Sequence, residues 1–285
     1  MRRMMTVLAF VPATLFASHY HSGVSVNFQG DAVSDCSQMR VTYDDEPAAT
    51  AEEAVNVGNP RALVIRAPQN GGIQVGSSDR YEVRACKAAA PGVSLNDVRV
   101  RFDGNALTAD GPDNQQWVVY FLVRVPRGAS LDLSTHNGPI SLRRVDGSVT
   151  ARAVNGPISL RESSGTLDIQ TTNGPISIDG GSGNAKLNAT NGPVTVKLRG
   201  STWDGTLDAR TENGPVSLHI PASFRSGVVV ESDGHGPVSC RADVCQNAKR
   251  SWDDEDNRRI EINSGPTAVH LSTVNGPVSV RSSEE

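Results

Sequence analysis

From residue 129 onward, apolar and polar residues alternate in short runs of strand length. An alternation with a period of two places every second side chain on one buried face of a β-strand and the others in solvent. The runs come in pairs, one before and one after a recurring Asn-Gly-Pro triplet. The inward residues expected after the triplet are Ile140/Leu142, Ile158/Leu160, Ile176/Ile178, Val194/Val196, Val216/Leu218 and Val278/Val280. Those expected before it are Leu131/Leu133, Val149/Ala151, Leu167/Ile169, Ala185/Leu187, Leu207/Ala209 and Val269/Leu271.

The triplet recurs at a nearly constant interval. Successive copies are 18, 18, 18, 22, 22 and 40 residues apart when His235-Gly-Pro is counted as a copy. A glycine eight residues before most corners shows that the extra four residues of the longer repeats fall at one place, as loops at one edge of a stack do. The asparagines of the six regular copies are Asn137, Asn155, Asn173, Asn191, Asn213 and Asn275.

Such repeats fit two arrangements, a chain of antiparallel hairpins or a stack of parallel coils. Asn-Gly between two strands ordinarily favours hairpins. The proline that follows argues against them, because it has no N–H to donate back across the turn. We therefore expect an all-β chain in which coils of 18–22 residues stack as a right-handed β-solenoid (β-helix) with Asn-Gly-Pro corners. The Asn side chains of stacked corners can then hydrogen-bond along one column.

The outward positions form columns of their own. One column contains Asp132, Asp168 and Asp208, separated by Thr150 and Lys186. Carboxylates two coils apart are about 9–10 Å from each other, which exceeds the separation in retaining glycosidases and only approaches that in inverting ones. The chain also has no H-E-x-x-H or G-x-S-x-G motif, so we expect no catalytic residue, no metal site and no cofactor. A second column carries hydroxyl groups, from Ser141, Ser159, Ser177, Thr195, Ser217, Ser239 and Ser279.

The regular pattern is lost at both ends of the repeats. Residues 19–62 are rich in Ala, Asp and Glu without a clear period, which predicts an exposed or weakly ordered lead-in. The repeat domain is expected to cover 63–285, because Asn70-Gly-Gly-Ile-Gln-Val75 is a degenerate first copy. An inserted loop is expected at 241–259, and its acidic run Asp253–Asp256 lacks the alternating ligands of a calcium loop.

The first 18 residues have the pattern of a signal peptide. Arg2 and Arg3 precede the apolar run from Met4 to Phe16, and small residues follow at the expected cleavage position. That run is too short to cross a bilayer, and no second apolar segment is long enough. We therefore expect an exported protein without a stable membrane span, located in the periplasm, at the cell surface or outside the cell.

Four cysteines are an even number, which suits an oxidising compartment. Three pairings are possible. The short separation of Cys240 and Cys245 keeps these two close, which leaves Cys36 and Cys86 as the other pair. Unpaired buried thiols are the alternative.

Composition agrees with an all-β chain and limits the partners. Only 5% of the residues are aromatic, whereas 27 are Gly and 16 are Pro, a balance typical of many short strands and tight turns. A formal net charge of −4 leaves no basic field of the kind that duplex nucleic acid requires. No nucleic-acid partner is expected.

The segment from about Leu63 to the C-terminus resembles the bacterial putative-adhesin family of β-strand-repeat proteins. The resemblance rests on Val125-Pro-Arg-Gly128 leading into Leu131-Asp-Leu-Ser-Thr, followed by serial Asn-Gly-x-(Ile/Val)-x-(Leu/Val) units. It implies an exported or envelope-associated β-helical protein of unknown function and supplies no catalytic residues. This sequence departs from the pattern at His235 and in the segment flanked by cysteines.

Two functions of different classes follow. The first is a non-catalytic structural or binding protein of the cell envelope, with an adhesin-like role, whose partner is a surface glycan, a protein or another copy of the chain. The second is a β-helical polysaccharide-degrading enzyme, a lyase or a glycoside hydrolase. Regular repeats with small outward residues favour the first, because they form a surface and not a pocket.

Overall fold

The computed structural model describes residues 18–19, 24–28, 35–114, 116–234, 236–252 and 258–283, and most of these residues lie in strands. Three short 3-10 helices occur at Cys36–Gln38, Leu95–Asp97 and Asp243–Asn247. The strands are β1 (Ser18–His19), β2 (Val24–Phe28), β3 (Met39–Tyr43), β4 (Glu46–Pro47), β5 (Ala49–Val55), β6 (Leu63–Arg66), β7 (Gly72–Ser77), β8 (Glu82–Ala89), β9 (Arg99–Asp103), β10 (Ala106–Asp110), β11 (Trp117–Val125), β12 (Ala129–Thr135), β13 (Ile140–Arg143), β14 (Asp146–Ala153), β15 (Ile158–Asn173), β16 (Ile176–Gly181), β17 (Gly183–Asn191), β18 (Val194–Lys197), β19 (Gly205–Asn213), β20 (Val216–Ile220), β21 (Gly227–Ser232), β22 (Val238–Cys240), β23 (Lys249–Trp252), β24 (Arg258–Ile262), β25 (Thr267–Thr273) and β26 (Val278–Ser282).

Two large sheets share one apolar core, and each repeat contributes one strand to each sheet. The long strand β15 takes part in both. Sheet 1 contains the strands that follow the Asn-Gly-Pro corners, in the spatial order β5-β8-β11-β7-β13-β15-β16-β18-β20-β26-β22. Sheet 2 contains the strands that precede them, in the order β9-β10-β6-β12-β14-β15-β17-β19-β25-β21-β24-β23.

Neighbouring repeats pair in parallel and in register. Ile140 lies opposite Ile158, which lies opposite Ile176, so each residue faces its equivalent in the next repeat. Every residue that the alternation assigns to the interior is buried, with at most 4% of its surface exposed. Burial of these aliphatic side chains supplies the main stabilisation, at roughly 25 cal/mol for each Å² of apolar surface removed from water.

The C-terminal repeats are not stacked in chain order. Strands β25 and β26 pair in parallel with β19 and β20 on one side and with β21 and β22 on the other. The amide of Val216 donates to Pro277 O, and that of Val278 donates to Pro237 O, which gives the same order at the corners. The last repeat of the chain therefore lies between two repeats that precede it. His235 itself lies outside the described residues.

The N-terminal repeats show the same arrangement. Strands β6 and β7 lie between β12 and β13 on one side and β10 and β11 on the other. Beyond these, sheet 1 continues with β8 and β5, and sheet 2 with β9, all antiparallel. Antiparallel strands thus cover both sheets at the N-terminal end, and β24 and β23 cover sheet 2 at the C-terminal end, where open edges would recruit other chains. Sheet 1 ends there at the short parallel strand β22.

Strands occur within the segment 19–62, expected as an exposed or weakly ordered lead-in, and of these β4 and β5 are largely exposed. Strands β1 to β4 form an antiparallel sheet, and β5 joins sheet 1. Val24, Val26 and Val41 are buried against the outer side of β8 and β11, in a second apolar cluster. That side of β11 is apolar, with Val118 and Tyr120 fully buried, and it needs such a cover. The signal-peptide residues 1–17 lie outside the described residues.

The loop predicted at 241–259 is also more ordered than expected. It contains a 3-10 helix and β23, and β24 begins at Arg258 and pairs antiparallel with the edge of β21. Ile260 of β24 is 2% exposed and belongs to the main core. The acidic run Asp253–Asp256 lies outside the described residues.

Both disulfides that the cysteine spacing favours are present. Cys36 is bonded to Cys86, with 5.3 Å between the Cα atoms, and Cys240 is bonded to Cys245. The first bond joins the small antiparallel sheet to sheet 1. Closing a loop of 50 residues, it removes about 4 kcal/mol of chain entropy from the unfolded state.

The register makes a direct prediction about two adjacent residues. Ile176→Asp should lower the free energy of unfolding by roughly 3–5 kcal/mol, because it places a charge in the fully buried core. Ser177→Asp changes the neighbouring outward residue and should cost less than about 1 kcal/mol. Urea denaturation of the two variants measures the difference. Equal losses would show that the assigned faces are wrong.

Candidate binding surface

Asparagine side chains form a hydrogen-bonded column along one corner of the stack. Each Nδ2 donates to the Oδ1 of the adjacent corner at 2.9–3.0 Å. The φ angles of these residues are not in the left-handed region, so asparagine is not there to permit a tight hairpin turn. Its role is to connect coils. The column consists of Asn70, Asn137, Asn155, Asn173, Asn191, Asn213 and Asn275.

The glycine and proline of the corner also serve the contact between coils. A Cβ on Gly174 would lie 2.3 Å from the carbonyl oxygen of Gly156, so no larger residue fits. The amide of Ile158 donates to the carbonyl oxygen of Pro175 in the next coil at 3.0 Å. The proline nitrogen has no hydrogen to satisfy, and its carbonyl accepts from the neighbouring coil.

Buried threonines at the corner were not identified from the sequence. Thr171 Oγ1 donates to Gly156 O at 3.1 Å, and Thr211 Oγ1 donates to Gly192 O at 2.8 Å. Both side chains are buried, so these bonds satisfy polar atoms that water cannot reach. The available signal is a Thr or Ala two residues before each corner Asn, as at Thr135, Ala153, Thr171, Ala189, Thr211 and Thr273.

The outer face of sheet 1 presents two parallel columns of polar side chains. The hydroxyl column follows the register of the strands, with Gln74 at its N-terminal end, and its side chains are partly exposed. Neighbouring hydroxyls are about 4.8 Å apart along the stack. The second column, which we call the basic column, consists of Arg143, Arg161, Asp179, Lys197, His219 and Arg281.

The cations of the basic column form no direct ion pair, although Asp179 lies between two of them. Arg143, Arg161, Lys197 and Arg281 form no ion pair with any carboxylate in the described part of the chain. The Nε of Arg143 is buried and has no hydrogen-bond partner there. Asp179 lies directly opposite Arg161 and Lys197 and offsets part of their charge, so the excess positive charge of this face is greatest at Arg143 and Arg281.

The two carboxylates beside the basic column are already bound by arginines. Arg199 donates to Asp179 through Nε at 2.6 Å and NH2 at 2.9 Å, and this pair holds the pKa of Asp179 below its ordinary value. Glu162 lies 3.7 Å from Arg144. Burial, together with Arg281 and Lys197, lowers the pKa of His219, as expected in a positive field.

The outer face of sheet 2 has the opposite character, because its charges pair with each other. Arg66 binds both carboxylate oxygens of Asp132, at 2.9 and 2.7 Å, and lowers the pKa of that group. Arg152 lies between Asp132 and Asp168, at 4.0 and 3.8 Å. Of the three aspartates predicted to share one outward column, Asp132 and Asp168 therefore belong to one ion-pair network, whereas Asp208 contacts His270.

His270 links three repeats at the C-terminal end of that network. It lies on the inserted strand β25, with Nε2 2.6 Å from Glu231 on β21 and Nδ1 3.5 Å from Asp208 on β19. Arg259 on β24 binds Glu231 at 2.8 Å. The hydrogen bond to Glu231 raises the pKa of His270 and outweighs the effects of burial and of Arg259.

Concave sites on the molecule are open and polar. One groove of 490 Å³ runs across several coils beside the asparagine corner, lined by His136, Arg152, Gln170 and Asn188 among others. Another, of 670 Å³, lies at the C-terminal end next to Arg225. Within the described ranges, no group of three or more His, Cys, Asp and Glu side chains could hold a metal ion. Those ranges also contain no helix that is long and apolar enough to cross a membrane.

Comparison with known proteins gives similarity of structure alone. No family model matches the chain, and no curated protein does. A putative cell adhesion protein from Clostridium sporogenes is 11% identical with a TM-score of 0.32, and the match covers 83% of this chain and 100% of that one. A putative adhesin from Bacteroides fragilis is 10% identical with a TM-score of 0.38, over 82% and 97% of the two chains. A putative adhesin from Parabacteroides distasonis is 12% identical with the same TM-score and coverage. At these values the function must be argued from the residues of this chain.

Substitutions of Asn173, at the centre of the asparagine column, test whether stability depends on the hydrogen bond that its amide group donates. Asn173→Ala should cost roughly 1–2 kcal/mol, because it removes one donated and one accepted hydrogen bond. Asn173→Asp at neutral pH should cost at least as much, since a carboxylate accepts from Asn191 but cannot donate to Asn155. Asn188→Ala in the next coil, away from the corner, is the control and should cost less than about 0.5 kcal/mol. Denaturation midpoints of the three variants measure these costs, and an undiminished midpoint for Asn173→Asp would contradict the column.

The contacts of His270 predict a loss of stability as pH rises. A pKa above the ordinary 6.5 in the folded state means that the charged His270 stabilises the fold fully below pH 6.5. This contribution is lost as pH rises through the folded pKa, and solvent exposure limits it to roughly 1 kcal/mol. The difference in unfolding free energy between the wild type and His270→Gln should shrink between pH 6 and pH 9. Because both proteins contain His219, its titration cancels in this difference. A difference that does not change with pH would exclude this stabilising role of His270.

Proposed function

We propose that this chain is an exported, non-catalytic β-solenoid of the bacterial cell envelope, which binds a surface partner through the outer faces of its stacked coils. The signal-peptide pattern and the two disulfides support export to an oxidising compartment. The solenoid domain begins at Leu63, with right-handed coils. The small antiparallel sheet and β5 are its N-terminal cover.

The observation that carries this function is the in-register stacking of outward side chains. Because every coil repeats the same positions, a few residue types become columns that extend across many coils. Such surfaces suit long or repetitive partners, since each coil adds one more equivalent contact. An enzyme that cleaves a small substrate needs instead a concave site with convergent groups.

The carboxylates do not support the enzymatic alternative. A glycoside hydrolase needs a carboxylic acid whose pKa is raised, close to a second carboxylate. The carboxyl pKa values that shift, those of Asp132, Asp179 and Glu231, all shift downward because each group binds a cation. Charged partners keep these groups ionised at neutral pH, which is the wrong state for a general acid.

Binding and cleavage can be measured in one experiment. The mature protein is incubated with a panel of immobilised polysaccharides and isolated envelope fractions, and both retention and released oligosaccharides are recorded. We expect retention on at least one surface and no new reducing ends or unsaturated sugars. Released product would establish the enzyme, and a complete lack of retention would exclude a binding role for the outer faces.

A further inference from the structure

We propose that the outer face of sheet 1 binds an acidic polysaccharide, which lies along the stack with its anionic groups on the basic column and its hydroxyl groups on the hydroxyl column. This inference rests on the proposed binding function and specifies its partner. The site is the surface formed by the two columns between Arg143 and Arg281.

The arrangement of charge on this face is unfavourable for folding. Arg143 lies directly opposite Arg161 on the adjacent strand, and His219 lies between Lys197 and Arg281. Like charges directly opposite each other destabilise a sheet. The outer face of sheet 2 avoids this cost by alternating acids and bases, as in the contacts of Asp132 with Arg66 and Arg152. Sheet 1 does so only where Asp179 lies between Arg161 and Lys197, and no acid lies opposite Arg143 or Arg281 on the paired strands.

An external anion would supply the missing partners. Guanidinium groups bind carboxylate, sulfate and phosphate through paired N–H donors, and Arg143 has a buried Nε that lacks an acceptor in the described structure. Successive coils repeat these donors at about 4.8 Å, or at multiples of it where Asp179 and His219 interrupt the cations. A linear polymer with regularly repeated anionic groups matches this geometry better than a single small anion.

The hydroxyl column favours a polysaccharide over other polyanions. Seven Ser and Thr side chains lie beside the cations and can donate to, or accept from, sugar hydroxyls. Neither column contains a Phe, Tyr or Trp on which nucleic-acid bases could stack, and the basic column offers a single imidazole, that of His219. In the described structure, Val154 is the exposed large hydrophobic residue, and it lines the groove beside sheet 2. A face of this composition does not insert into a membrane.

The test uses the mature full-length protein and polygalacturonate as the probe, with neutral dextran and dextran sulfate as companion polymers. We expect polygalacturonate to bind and neutral dextran not to bind, with affinity falling as salt rises from 50 to 200 mM because salt screens the contacts, at a Debye length of about 8 Å near 0.15 M. Binding of dextran sulfate in place of polygalacturonate would assign the site to sulfated rather than uronic-acid polymers and keep the inference.

Matched variants locate the site. Arg161→Gln combined with Lys197→Gln should weaken polymer binding roughly tenfold, because two charge contacts are lost. Lys186→Gln removes one charge from the opposite face of the same coil as Lys197 and should leave affinity nearly unchanged. The double variant should melt close to the wild-type temperature, since the loss of attraction to Asp179 offsets the relief of repulsion between Arg161 and Arg143. A lower melting temperature would indicate a structural role instead.

Other outcomes separate this inference from the proposed function. Equal losses for Lys186→Gln and the double variant would indicate nonspecific attraction and overturn the site. Tighter binding to single-stranded DNA or to anionic vesicles would overturn the polysaccharide assignment. Retention on a neutral glycan or an envelope protein without any binding of acidic polymers would refute the inference but leave the proposed function intact.

Discussion

Close contact between corner glycines is the constraint on which the rest of the structure depends. Gly174 approaches the carbonyl oxygen of Gly156 so closely that a Cβ cannot be accommodated, and the equivalent glycines of the other corners meet in the same way. This contact fixes the distance and the register between successive coils. Once the register is fixed, apolar residues stack on apolar residues in the core, and Asn173 reaches Asn155. The same alignment places equivalent outward residues in columns, so the arrangement of polar side chains on the surface also depends on the corner contacts.

The terminal coils of the stack need stabilising contacts that the interior coils receive from their two neighbours. A stack of equivalent coils can lose its terminal coil at low cost, because that coil contacts only one neighbour. Here a repeat distant in the sequence is inserted at each end, β25 and β26 between earlier strands and β6 and β7 between later ones. Removing the outermost coil therefore breaks contacts to a segment from elsewhere in the chain. The ends are tied into the cooperative unit, and antiparallel strands cover the N-terminal edges of both sheets and the C-terminal edge of sheet 2.

The repeats could be predicted from the sequence because each local signal agrees with the others. The period-two pattern, the spacing of the corners and the missing N–H of proline all favour the same parallel pairing, and the predicted interior residues are buried. The order of the coils could not be predicted, since the strands of any two repeats are nearly equivalent and only tertiary contacts choose among them. In the sequence, the long interval of 40 residues before Asn275 is the sign that the last repeat is not stacked in chain order.

The covering sheet was missed for a different reason. Val24-Ser-Val-Asn-Phe28 and Met39-Arg-Val-Thr-Tyr43 do alternate with a period of two, but each run is short and stands apart from the repeats. A stronger signal was the run Trp117–Val125, which is apolar on both faces and therefore requires cover on both. Similarly, the alternation identifies the residues of the basic column as outward, but it does not show that its cations form no direct ion pair. That depends on Arg199 and Arg144, which bind the nearby carboxylates, and sequence spacing does not determine where these side chains point.

Because the coils repeat, an unpaired charge on their outer face says more about binding than an unpaired charge on an irregular surface does. In an irregular surface, an unpaired arginine costs little and carries little meaning, since water and mobile neighbours compensate it. In a stack, the same position recurs about every 4.8 Å, so an unpaired cation is repeated and its repulsion accumulates. The chain as a whole is acidic, with a formal charge of −4, and it places acids beside bases throughout sheet 2. Acidic residues are thus compatible with these coils, as Asp179 shows opposite Arg161, and no acid lies opposite Arg143 or Arg281 on the paired strands. A partner that brings negative charge would complete the face at these two positions.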